Sequence, residues 1–176
     1  TSGIGFIPDG VALSSKKIYP GDKIIISGNI GEHATAVLLA RENFTVKSNI
    51  KSDCGPVNKI TEKLIAAATG IKILRDPTRG GVATVLNEFV EKQDRGIRIY
   101  EAELPVSDEV QGICEPFGFD PLYLANEGKF IMVVDEKSVD KCLEIIKGFE
   151  MGKNARIIGE VIGEPVGKVL LNTQLG

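Results

Sequence analysis

The sequence predicts an α+β fold, a mixed β-sheet flanked by helices. Two patterns lead there: short apolar runs of four to seven residues bounded by Gly, Pro and Asp, and longer segments with apolar residues at helical spacing. A third is negative, since no internal repeat, linker or low-complexity tract divides the 176 residues, which are read as a single domain, 1–176. Hydrophobic residues at 43% and charged residues at 26% suit a packed globular core and exclude a disordered chain.

Along the chain, Lys23 to Ser27 after the turn-forming Pro20, Gly21 and Asp22 predicts a buried strand. Gly28-Asn29-Ile30-Gly31-Glu32-His33 follows as a loop, and Ala34 to Arg41 is rich in helix formers. Ser52, Asp53, Gly55 and Pro56 are start signals for a helix through Lys59 to Ala68, with Val57, Ile60, Leu64 and Ala68 on one stripe. Gly70 ends it, and Ile71 to Leu74 is a short strand. After the polar run Arg75 to Gly81, residues Val82, Val85, Leu86, Phe89 and Val90 have the i, i+3, i+4, i+7, i+8 spacing of an amphipathic helix. Ile97 to Tyr100 reads as a strand, and Ser107 caps a short helix through Glu115 that Pro116 interrupts. A loop spans Pro121 to Lys129 before the apolar strand Phe130 to Val134. Ser138 to Phe149 is a helix with Val139, Cys142, Leu143 and Ile146 inward, and Arg156 to Ile162 and Lys168 to Leu171 are the last strands.

Composition narrows the function classes. With 21 basic against 24 acidic residues, a net charge of −3 and no basic block, the chain is not a nucleic-acid binder. No apolar stretch approaches the length of a membrane span, and three scattered cysteines form no disulfide framework, so the cytoplasm is the expected compartment. One histidine and no short cysteine spacing predict no metal-ligand set.

Three segments carry candidate chemistry. Arg75-Asp76-Pro77-Thr78-Arg79-Gly80-Gly81 joins a strand to a helix start, where unpaired amides, the helix dipole, glycines and a guanidinium suit an anion. Thr78 either caps that helix or donates a hydroxyl, and an ordinary capped helix with an Arg–Asp surface pair has the same pattern. Ala125-Asn126-Glu127-Gly128-Lys129 places a carboxylate before a strand, as an acid, base or partner of a magnesium-bound phosphate, or as a plain turn with Glu127 paired to Lys129 in solvent. His33 lies at a helix start, lining a site or only packing there. Asp53 beside Cys54 hints at a thiol nucleophile, but no base is evident to activate it.

Taken together and in this order, Gly28 to His33, Arg41-Glu42, Ser52-Asp53-Cys54, Arg75 to Gly81, Leu86-Asn87-Glu88 and Ala125 to Lys129 resemble the HypE family of hydrogenase maturation proteins, over nearly the whole chain. That family belongs with aminoimidazole ribonucleotide synthetase, selenophosphate synthetase and thiamine-monophosphate kinase. The resemblance implies the C-terminal domain of the aminoimidazole ribonucleotide synthetase type, a fragment of a larger two-domain protein. It implies an ATP-dependent dehydratase that turns an S-carbamoyl cysteine into a thiocyanate for the cyanide ligands of nickel-iron hydrogenase.

By the same resemblance Asp76, Thr78, Arg79, Gly80 and Gly81 form the phosphate-side loop, Glu127 handles a proton, Asn126 orients it, and Gly31 and His33 line the site. ATP and Mg are the implied cofactors, held mostly by the first domain. A carbamoyltransferase and iron-scaffold maturation proteins are the implied partners, with the complete protein a homodimer. The reactive terminal cysteine of the family is not among these residues, so the isolated fragment is expected to be inactive. Glu32-His33-Ala34 departs from the family's usual Asp-His-Gly. Two alternatives stand beside this reading: another synthetase of the superfamily, against which Arg79 counts because those enzymes tend to carry a glycine triplet there, and a non-catalytic partner-binding scaffold.

Overall fold

The computed structural model describes residues 4–41, 48–67 and 70–174. Eleven regular elements follow the expected order. They are β1 (Lys23–Ile26), α1 (Glu32–Arg41), α2 (Asn58–Ala67), β2 (Ile71–Arg75), α3 (Gly81–Val90), β3 (Gly96–Tyr100), α4 (Asp108–Phe117), β4 (Ile131–Val134), α5 (Val139–Lys147), β5 (Arg156–Ile162) and β6 (Val169–Asn172). The strands form one six-stranded sheet in the order β2-β4-β1-β5-β3-β6. Every neighbouring pair is antiparallel except β3 with β6, so the sheet is mixed, as predicted.

Burial on both faces explains the unbroken apolar runs of the central strands. Ile24, Ile26, Ile131, Val133, Ile97, Ile99, Ile158 and Val161 pack with Val82, Val85, Leu86, Phe89 and Val90 of α3. On the other face Ile25, Met132, Val134 and Ile71 pack with Ile60 and Leu64 of α2 and Val139, Cys142, Ile145 and Ile146 of α5. Each fully buried Leu or Phe contributes about 2–3 kcal/mol, so α3 is held by its stripe rather than by intrinsic propensity.

Several boundaries differ from expectation. Helix α4 runs through Pro116 to Phe117 instead of stopping before it. A proline this close to a helix end forfeits one backbone bond, and Gly118 at φ +67° closes the turn, its N–H and that of Phe119 returning to the Glu115 and Cys114 carbonyls. Helix α5 ends at Lys147, with Ile145 buried and Leu143 only partly so. Glu42 and Ala68 lie outside the described residues.

Candidate functional site

Register brings three loops to one end of the sheet. Ile26 at the end of β1 and Arg75 at the end of β2 both stand opposite Ile131, the first residue of β4. The chain leaving β1, the chain leaving β2 and the chain entering β4 therefore meet, and they are the three segments the sequence singled out. Asn126, fully buried, ties them together. Its Oδ1 accepts the Gly31 N–H at 2.8 Å, its Nδ2 donates to the carbonyls of Pro77 at 3.2 Å and Leu124 at 2.9 Å, and its own N–H donates to Pro77 O at 3.1 Å. Gly31 has φ +85°, and a Cβ there would stand 2.9 Å from Val110, so the amide that reaches Asn126 comes from a position that suits glycine.

On the β2 side the loop ends in two consecutive left-handed glycines, Gly80 at φ +70° and Gly81 at φ +61°. No side chain caps α3: the Gly81 N–H is taken by the Thr78 carbonyl at 3.3 Å, and Gly81 and Val82 are buried behind the exposed Gly80. Thr78 does not cap; its hydroxyl donates to the Asp76 carboxylate. Arg75, the last residue of β2, pairs with Glu88 of α3 at 2.9 Å, so the surface pair is Arg–Glu between strand and helix rather than Arg–Asp within the loop, and Arg79 is exposed. A Cβ on Gly81 would come within 2.5 Å of the Leu122 carbonyl, which shows how tightly the segment before β4 lies over the start of α3.

The β4 side holds the titratable groups. Glu127 Oε1 lies 4.0 Å from His33 Nε2, so two residues singled out separately face each other. The other ring nitrogen, Nδ1, is 2.8 Å from Ser52 Oγ, which accepts the Cys54 N–H at 3.1 Å. Lys129 does not pair with Glu127 in solvent. It is buried, with Nζ 3.3 Å from Asp53 Oδ2 and 3.6 Å from Glu32 Oε2, and Asn29 Nδ2 donates to Glu32 Oε1 at 3.1 Å. Asp53 Oδ1 accepts the Glu127 N–H at 3.1 Å. Asp53 is thus neither a helix cap nor the activator of a thiol. An open cleft of about 690 Å³ runs alongside, lined by Asn29, Glu32, Ser52, Cys54 and Lys129 among others.

Residues 19–172 match the family model described as AIR synthase related protein, C-terminal domain. The chain belongs to this family. Within it the AIR synthase related domain is 48% identical over its full length to a putative hydrogenase expression/formation protein of Methanocaldococcus jannaschii, covering 52% of that protein. It is 39% identical, again over its full length, to the carbamoyl dehydratase HypE of Cupriavidus necator, covering 50% of it. Among solved structures, one chain of a HypE–HypF complex matches with a TM-score of 0.89 at 48% identity, over 96% of this chain and 54% of that one. A hydrogenase maturation protein HypE in complex with ATP matches with a TM-score of 0.88 at 36% identity, over 93% and 51% of the two chains. The likeness to HypE read from the motifs therefore extends through the domain, which spans about half the length of these relatives.

Two groups implied by the family meet different local chemistry. The start of α3 carries no capping side chain and Arg79 beside it is exposed, a guanidinium with donors of the kind an anion takes. Among the described residues no three His, Cys, Asp or Glu side chains gather as a metal site.

Proposed function

We propose that this domain is the C-terminal half of a two-domain, ATP-dependent carbamoyl dehydratase working in the cytoplasm to make the thiocyanate that supplies hydrogenase cyanide. The observation that carries the reading is the convergence of a helix start without a capping side chain, with Arg79 exposed beside it, and an exposed carboxylate on loops joined by one buried asparagine. Such a reaction needs a place for phosphate and a group that takes protons from an amide nitrogen, held in fixed relation.

ATP, when bound, supplies the phosphoryl group that makes the amide oxygen a leaving group. The domain's residues do the rest. The α3 start and Arg79 hold phosphate charge. The amide nitrogen gives up two protons in all, one as its oxygen takes the phosphoryl group and one as the carbon–oxygen bond breaks and phosphate leaves; Glu127 takes the second as the carbon–nitrogen triple bond forms, with His33 beside it to share that proton. Asn126 touches no substrate; it fixes Glu127 relative to the phosphate loop and to Gly31. Magnesium is held by the other half of the protein, which also forms the homodimer. A carbamoyltransferase delivers the carbamoyl group and an iron-scaffold maturation protein receives the cyanide; the HypE relative solved with HypF supports the first of these contacts.

The test is single-turnover thiocyanate formation in the complete protein, carbamoylated on its cysteine. Glu127→Gln should slow it at least about 100-fold while ATP affinity stays within about twofold. Turnover at the wild-type rate would remove Glu127 and this reading with it. A partner-binding scaffold without chemistry predicts no effect of that substitution at all.

A further inference from the structure

We infer that Asp53 is the positioning residue for Glu127, clamping the carboxylate-bearing loop from a separate segment of the chain. The inference rests on the functional reading above and deepens it. Glu127 is the exposed residue of a loop whose neighbours Asn126, Gly128 and Lys129 are buried. Asp53 holds its backbone from more than seventy residues away in sequence, through the 3.1 Å bond from the Glu127 N–H to Oδ1.

Three further observations make this contact a built device rather than a passing one. The Asp53 side chain is 1% exposed, and its second oxygen, Oδ2, is buried and accepts no hydrogen bond. That oxygen is compensated by charge alone, from Lys129 Nζ at 3.3 Å, two residues beyond Glu127. Lys129, 6% exposed, is itself shared with Glu32, the residue next to His33. A buried carboxylate and a buried ammonium are costly to desolvate, and the pair tolerates little displacement of either partner. Finally, the backbones touch: a Cβ on Gly128 would fall 1.9 Å from the Asp53 carbonyl. Residues 127, 128 and 129 are therefore each held by Asp53, by amide, by close approach and by charge. The same segment carries Ser52, whose Oγ meets His33 Nδ1, so one short stretch sets both members of the His33–Glu127 pair.

A clamp of this kind acts on the proton-transfer step and not on nucleotide binding. In the complete protein, Asp53→Ala should slow single-turnover thiocyanate formation by about 10- to 100-fold, with ATP affinity within about twofold. The deciding comparison is Asp53→Ala/Glu127→Gln, which should be no slower than Glu127→Gln alone, because a residue that acts through Glu127 has nothing left to position. Multiplied losses in the double variant, or wild-type turnover in Asp53→Ala, would overturn the clamp while leaving Glu127 its role. Wild-type turnover in Glu127→Gln would instead strike the functional reading.

Hydrogen exchange at the Glu127 amide reports on the contact without any activity. Asp53→Ala should speed it and Asp53→Asn, which keeps an acceptor, should preserve it; equal exchange in all three proteins sinks the proposal. If Asp53→Ala does not fold because Lys129 is left short of charge, Asp53→Ala/Lys129→Met removes that strain and must give the same exchange and the same non-additivity.

Discussion

Asn126 has both Nδ2 hydrogens and its Oδ1 engaged with main chain, in a place water does not reach. Asn126→Ala should lower stability by about 3 kcal/mol or more, since three bonds worth about 1 kcal/mol each are lost and the Gly31 amide and Leu124 carbonyl lose this partner, while Pro77 O keeps the main-chain N–H of residue 126. Equilibrium urea unfolding measures this; a loss below about 1 kcal/mol would mean the loops hold together without it. Cysteine reactivity is a second residue-scale outcome. Burial pushes the Cys142 thiol up to about 11 and raises Cys114 as well, while Cys54 is exposed. At pH 8 a thiol reagent should titrate one cysteine of the native protein promptly and the other two only on unfolding. Prompt reaction of two would contradict the packing of α4 or α5.

At the scale of elements, α3 is the most constrained piece. Gly81 combines φ +61° with the Leu122 and Leu124 carbonyls closing on the space a side chain would take. Gly81→Ala should therefore cost more than about 2 kcal/mol, from unfavourable backbone and from displacement of the chain before β4, read as a fall in denaturation midpoint. A neutral result would show that segment to be loosely held. The existence and order of the elements were legible because each is bounded locally: Gly and Pro punctuate the strands, and the Val82–Val90 stripe has helical spacing and nothing else. The Thr78 alternative could not be resolved by pattern, since a threonine two residues before Gly80 does not say which residue takes the left-handed position. Asp53 and Lys129 were illegible for a stronger reason. Local reading joined Lys129 to its neighbour Glu127, whereas the chain entering β4 buries Lys129 against a carboxylate from another loop. The functional segments were readable, and the charges that hold them were not, because their partners are far apart in the chain.

Across the molecule, β1, β5 and β3 are linked on one face by Glu160. It accepts from Lys23 Nζ at 2.9 Å and from the Tyr100 hydroxyl at 2.8 Å, and Arg98 lies 3.6 Å away. These bonds, Lys23 first, hold the Glu160 carboxyl below its ordinary value, and the bond to Glu160 raises Lys23 above its own. The lowered carboxyl contributes stability that is present above the unfolded glutamate pKa and lost as pH falls through the folded one. The raised ammonium contributes stability that is full below the unfolded lysine pKa and lost as pH rises through the folded one. Glu160→Gln should thus flatten the stability profile both below about pH 4 and above about pH 10, by about 1 kcal/mol or less for a partly exposed pair. Thermal melts across that range test it, and an unchanged acid limb would place the acid sensitivity elsewhere.

Sheet order also sets a timetable. Within the domain's described residues β1 is the first strand made, yet both of its neighbours, β4 and β5, come late in the domain. Until Arg156–Ile162 exists, Ile24, Ile25 and Ile26 have no complete sheet to enter, and the apolar stripe of α3 has only part of its floor. The nascent domain must carry a bare isoleucine run until β5 is made, which delays closure of the sheet.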